Sequence, residues 1–257
     1  MLNYREAGPQ DGPVALMLHG FPQSSYMWRH ALPAVAARGY RAIAPDFAGF
    51  GDSPPDPPGT WQRHVESVEA FRQELGLERV VLVVHDWGGL IGLRWACDHP
   101  DAVSALVISD TGFFSDGKWH GMAEGLRTEG QGEEMVNGID REGLGHILRS
   151  SSPAMDDEAI DEYAKCLADD TRRRGLLELY RSGEFSELEA YEGCLGKMDV
   201  PSLLLWGADD PFAPLAGAKR FEEELADSRL VVMEGTGHFV WDDAGEKAAQ
   251  ELAEWLP

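Results

Sequence analysis

Six short apolar runs restrict what this chain can fold into more than any other feature of it. They are Val14–Leu18, Arg41–Ala44, Val80–Val84, Ala105–Ile108, Ser202–Leu205 and Leu230–Met233. Several are almost free of polar residues and do not alternate, the pattern of strands covered on both faces of a sheet. Between them, Trp28–Arg38, Trp61–Leu75, Leu90–His99, Leu215–Leu225 and Ala244–Trp255 read as helices. Strand and helix in repeated alternation predict an α/β fold, a mostly parallel sheet with helices on both faces.

The alternation stops between about Thr111 and Lys197. That stretch is rich in Glu, Arg, Gly and Ser, lacks strand-like runs, and holds amphipathic helix candidates at Asp157–Leu167 and Thr171–Tyr180. An all-helical insertion after one strand, with the sheet pattern resuming at Val200, predicts a helical cap over the core. The expected division is a core of residues 1–111 and 197–257 with a cap of residues 112–196. Pro54–Pro58 reads as a rigid surface loop.

The chain carries 45 acidic against 22 basic residues, a formal charge of −23. Such a surface repels nucleic acid and anionic membranes, which argues against both as partners and disfavours anionic substrates. No apolar run approaches the ~20 residues of a membrane helix, and MLNYREAGPQDG lacks the pattern of a secretory signal. Cys97, Cys166 and Cys194 are odd in number and irregularly spaced. They read as free thiols in a reducing, cytoplasmic setting, without a metal-ligand pattern. Oligomeric state is left open.

The run VVLVVHDWGGLIG, Val80 to Gly92, passes from a strand into a glycine-containing turn and a helix. Such a turn sets one side chain at the carboxyl end of a parallel sheet, where ligands of these folds bind. Here that side chain is Asp86. It either caps the following helix, a common task for aspartate, or does chemistry.

The wider sequence weighs on that choice. LMLHGFPQSSYMW (Leu16–Trp28), APDFAGFGDSP (Ala44–Pro54), VVHDWGG (Val83–Gly89), LLLWGADDPFAP (Leu203–Pro214) and GTGHFV (Gly235–Val240) follow in order. With these motifs the chain resembles the α/β-hydrolase fold over nearly its whole length. It is most similar to the aspartate-nucleophile branch of epoxide hydrolases and haloalkane dehalogenases. One departure is Val84, where serine-type elbows usually have glycine.

The resemblance implies Asp86 as nucleophile, His238 as general base and Asp210 as the acid orienting the histidine. The Trp-Gly-x-x-Asp spacing prefers Asp210 to Asp209, and Asp110, at the end of ALVISD, is the alternative acid. Chemistry agrees with these roles. A carboxylate is ionised at neutral pH and attacks without a base to activate it. On an ester carbonyl it would form a reactive mixed anhydride; on a saturated carbon it forms an aspartyl ester that water, activated by a histidine, can hydrolyse. Backbone N–H groups of Phe21 and Trp87 are expected to hold the oxyanion of that second step. Pro22 is expected to fix the Phe21 loop, and His19 to serve as a structural hydrogen-bonder.

Epoxides and alkyl halides differ in the leaving group. A ring-opened epoxide leaves as a basic alkoxide and needs a proton donor, whereas a halide needs only N–H dipoles. LLELYRSGEF (Leu176–Phe185) resembles the stretch that carries a donor tyrosine in epoxide hydrolases, which nominates Tyr180. FFSDGKWHGMAEG (Phe113–Gly125) lacks the other tyrosine, but a histidine after tryptophan serves some members, and His120 fits that pattern. For halides, the Trp87 indole is one donor, and the second is missing where many dehalogenases have asparagine and this chain has Phe21. Trp119 is a candidate for that place and for the substrate pocket. Trp87 also stands where fluoroacetate dehalogenases carry arginine. The resulting expectation is an epoxide hydrolase forming a vicinal diol from a small-molecule substrate, without metal or organic cofactor. Haloalkane dehalogenation is the alternative, and a non-catalytic small-molecule binder the reading from another class.

Overall fold

The computed structural model describes all 257 residues. Seven strands form one sheet: β1 (Tyr4–Ala7), β2 (Val14–Leu18), β3 (Arg41–Pro45), β4 (Val80–His85), β5 (Val103–Ser109), β6 (Ser202–Gly207) and β7 (Ser228–Met233). Their spatial order is β1-β3-β2-β4-β5-β6-β7, parallel except for β1, which runs antiparallel to β3. The six strands read from the sequence are these parallel ones. All residues of β4 and β6 are buried, as continuous apolar runs in the middle of a covered sheet must be.

Helices α1 (Ala31–Ala37), α2 (Trp61–Glu74) and α3 (Trp87–Asp98) alternate with the early strands. Between β5 and β6 lie five more: α4 (Gly121–Arg127), α5 (Gln131–Gly138), α6 (Arg141–Ser151), α7 (Asp157–Ala164) and α8 (Asp170–Arg181). Four of the five begin at a side-chain cap, His120, Asp140, Asp156 and Asp169 accepting first-turn N–H groups. Helices α9 (Leu215–Glu224), α10 (Val240–Asp243) and α11 (Gly245–Trp255) complete the fold. None is long and apolar enough to cross a membrane.

One buried carboxylate ties the helical insertion to the core. Asp242 in α10 accepts from Arg29 Nη1 (2.7 Å), Gln23 Nε2 (2.9 Å) and the Tyr163 hydroxyl of α7 (2.9 Å). A charge taken out of water persists only when paired and fully hydrogen-bonded, and these three donors meet that condition.

The cysteine reading requires correction. Cys97 and Cys194 are joined as a disulfide, with Cα atoms 5.8 Å apart across 97 residues of sequence, and only Cys166 is free. The last turn of α3 and the segment returning to β6 lie side by side, a proximity that cysteine spacing does not encode. Burial pushes the Cys166 thiol up to about 12, as expected for an inert core thiol.

Candidate active site

Strand order makes the crevice. From β2 the chain moves outward to β3, then returns to β4 on the other side of β2. The connections leaving the carboxyl ends of β2 and β4 therefore run to opposite sides, as at the switch points where open α/β sheets bind ligands. The loop after β2 brings Phe21 to that crevice and the turn after β4 brings Asp86.

Asp86 has φ 47° and ψ −119°, a strained conformation for a residue with a side chain. The Thr111 hydroxyl supports the turn by donating to the Asp86 carbonyl at 2.7 Å. Gly88 is required where it stands, because a Cβ would run into the Leu18 carbonyl oxygen. Asp86 is the residue before α3, yet its side chain makes no capping hydrogen bond. Instead Oδ2 accepts the Phe21 N–H at 2.8 Å. The Trp87 N–H opens the first turn of α3, where helices leave N–H groups without intrahelical partners. Phe21 and Pro22 are joined by a cis peptide. His19 is fully buried, its Nδ1 2.8 Å from the Gly20 carbonyl and its Nε2 accepting the Phe47 N–H.

His238, after β7, lies between two carboxylates. Its Nδ1 is 2.8 Å from Asp210 Oδ2 and its Nε2 is 3.7 Å from Asp86 Oδ1. With Nδ1–H donating to Asp210, the Nε2 lone pair faces Asp86. Burial opposes the imidazolium, but the charge and hydrogen bond of Asp210, helped by Asp86, outweigh it and raise the His238 pKa. Asp210 is itself buried, which alone would favour its neutral form. The His238 charge and hydrogen bond, with N–H donors from Phe212 (2.7 Å) and Ala213 (3.0 Å), hold it below the usual carboxylate range. Asp110 does not meet the histidine: its Oδ1 accepts the Gly207 N–H at 2.9 Å.

Tyr180 of α8 is buried against Phe21 and Trp87, ring centroids 5.3 and 5.1 Å away. Burial, then the charge of Asp86, drives its pKa well up, so it remains a hydroxyl. Its ring packs edge-on to the Trp87 indole, and its side chain lines the same cavities as Asp86. His120 caps α4 through Nδ1, which accepts the Ala123 N–H at 3.4 Å. Burial depresses its pKa. The neutral ring then carries its proton on Nε2. Trp119 stacks on Trp87 at 5.6 Å, but its N–H goes to Glu184 Oε2 at 3.3 Å. Its ring lines a cavity while its donor points away from Asp86.

Two cavities meet at Asp86, His120, Tyr180, Phe212 and His238. The first, of about 80 Å³, runs beneath the inserted helices and is mainly apolar, with Met122, Leu126, Met135, Ile139 and Leu144 on its walls. The second, of about 270 Å³, passes Trp87, Trp119 and Phe185 toward Lys118 and Arg220. Phe212, Phe239 and the apolar wall escaped the sequence reading. Phe212 follows the Asp210 motif directly, and the wall residues form the inward faces of α4–α6, so amphipathic periodicity was the signal available.

A carboxylate on a strand–turn–helix elbow, a histidine backed by an acid, and a parallel sheet around them define an α/β-hydrolase. Residues 13–244 match the alpha/beta hydrolase fold family, and the chain belongs to it. Its relatives place it in the aspartate-nucleophile branch of that family. A haloalkane dehalogenase of Bradyrhizobium diazoefficiens is 30% identical, over 98% of this chain and 90% of that one. The solved haloalkane dehalogenase DbeA from Bradyrhizobium elkani is 27% identical with a TM-score of 0.86, covering 98% of this chain and 92% of that one. An epoxide hydrolase from Vigna radiata has a TM-score of 0.81 over 98% and 92% of the two chains. At 24% identity it speaks for the fold alone.

Proposed function

We propose that this hydrolase releases halide from haloalkanes through an aspartyl ester. The observation that carries the reading is Asp86 on the elbow, beside an apolar cavity, in a chain that aligns end to end with dehalogenases. Asp86 Oδ1 attacks the halogen-bearing saturated carbon; a C–O bond forms, the C–X bond breaks, and halide departs. His238 Nε2 then takes a proton from water as the water oxygen adds to the ester carbonyl carbon. Phe21 and Trp87 N–H groups hold the oxygen on which charge collects. The ester bond breaks and the alcohol leaves with the proton returned by His238; the second proton of the water passes from the Asp86 carboxyl through His238 to solvent, and Asp86 is again a carboxylate. Asp210 orients the imidazole and stabilises its charged form. Residues 112–196 act as the cap that keeps the first step dry, where an ionic nucleophile is least solvated.

The reading reverses the order of preference drawn from Tyr180 and His120 in the sequence. Haloalkane dehalogenases align over nearly the whole chain at 29 and 30% identity, whereas likeness to an epoxide hydrolase, at 24% identity, stays at the level of fold. Phe21 and Trp119 do not supply the second N–H donor, and the Tyr180 O–H, which lines the same cavities as Asp86, takes that place beside the Trp87 indole for the halide. The same hydroxyl favours a second reading: a group that can hydrogen-bond a halide can also protonate an epoxide oxygen.

Product analysis separates the two. On a panel of primary haloalkanes and terminal epoxides, the expected result is free halide with stoichiometric alcohol and little diol. Diol without halide would overturn the first reading in favour of the second. Tyr180→Phe grades the same choice. Halide release should fall about 10-fold, the effect of one lost hydrogen bond to an anion, whereas epoxide opening should fall about 100-fold or more, because a general acid is removed.

A further inference from the structure

Asp110 has no task in the reaction above, yet it is the most unusually placed carboxyl group in the fold. It follows β5 directly with φ 42°, and its side chain is fully buried. One oxygen accepts the Gly207 N–H at 2.9 Å, and the other has no donor at all. The charged groups whose fields reach it are those of Asp210 and Asp86; both are acidic. Strands β5 and β6 are paired up to Ser109 and Leu205, so the two acids emerge from neighbouring strand ends.

Two carboxylates sharing a dry space do not both ionise. The proton goes to the partner with fewer donors. Asp210 has three: His238 Nδ1–H and the N–H groups of Phe212 and Ala213. Asp110 has one. We propose that Asp110 is a positioning residue whose carboxyl stays protonated and donates its O–H to Asp210, fixing the acid that orients His238. The assignment rests on the reading of Asp210 and His238 given under Proposed function. Burial and the charge of Asp210 push Asp110 well above the usual carboxylate range, as this arrangement requires. The pair then carries a single negative charge, and Asp210 keeps a fixed orientation while His238 gains and loses a proton.

Infrared spectroscopy reads the proton directly. At neutral pH the wild-type protein should show a carbonyl band of a buried protonated carboxyl that is missing from Asp110→Asn and present in Asp86→Asn. A wild-type spectrum identical to that of Asp110→Asn in this region would overturn the proposal. Turnover supplies the second readout. Asp110→Ala, which cannot donate, should slow ester hydrolysis about 10- to 100-fold. Asp110→Asn should recover most of that loss, because its amide N–H donates to Asp210 while its carbonyl accepts from Gly207. If Asn is as damaging as Ala, Asp110 acts as an ionised acid and the proposal fails. The infrared band is independent of turnover, so absence of activity on haloalkanes and epoxides would count against the proposed function without touching the Asp110 assignment.

Discussion

An Asp86→Asn variant should release halide at least about 10⁴-fold more slowly than wild type, the scale of losing a covalent nucleophile. Asparagine suits the test physically. It tolerates the positive φ of this position better than most residues, and its carbonyl can keep the Phe21 N–H bond, so the turn is retained while the attacking charge is lost. A circular dichroism spectrum and melting temperature close to wild type would assign the loss to chemistry rather than folding. Residual turnover within about 100-fold of wild type would mean that water attacks the substrate directly and that no aspartyl ester forms.

His238→Gln should stop the cycle halfway. The ester still forms, because attack by Asp86 needs no base, but its hydrolysis should slow about 10³-fold. Intact-mass measurement after mixing with a 1-haloalkane should show the protein heavier by one alkyl group, with one equivalent of halide released in a burst. Unmodified protein after proven substrate binding would contradict the two-step scheme. The charge environment adds a pH signature. In the resting site the imidazolium is favoured by Asp210 and Asp86 against burial. Alkylation turns Asp86 into a neutral ester and removes one of those charges, so the pKa of His238 falls and its basic form is populated when water must be activated. Ester hydrolysis is lost as pH falls through the pKa that His238 has in the ester. The acid limb of kcat should therefore lie below the pH at which His238 titrates in the free protein, as followed by NMR.

How far the sequence discloses such a molecule depends on which forces wrote each part. The six parallel strands were legible because burial on both faces demands apolar residues throughout, and β4 and β6 obey that completely. Strand β1, with the sequence YREA, was not, because a four-residue edge strand half open to solvent is under no such demand. Helix α3 begins at Trp87, three residues before the helix read from Leu90, because Gly88 and Gly89 look like a loop but are dictated by close packing on β2 and Thr111. The Asp86, His238 and Asp210 cluster was readable from motifs that each sit at a strand end. What joins distant segments left no local trace: the Cys97–Cys194 bond, the Asp242 anchor, the Trp119–Glu184 contact and the packing of Tyr180 on Trp87.

The two oxygens of Asp86 are not equivalent: Oδ2 is tethered to the Phe21 amide, while Oδ1 faces His238. In the proposed reaction the untethered atom leaves with the alcohol, and the oxygen of the incoming water fills the vacated position. Each product molecule thus carries an atom that the protein took from solvent one cycle earlier. In that scheme a single backbone amide, by keeping one oxygen in place, gives the site a memory one turnover deep.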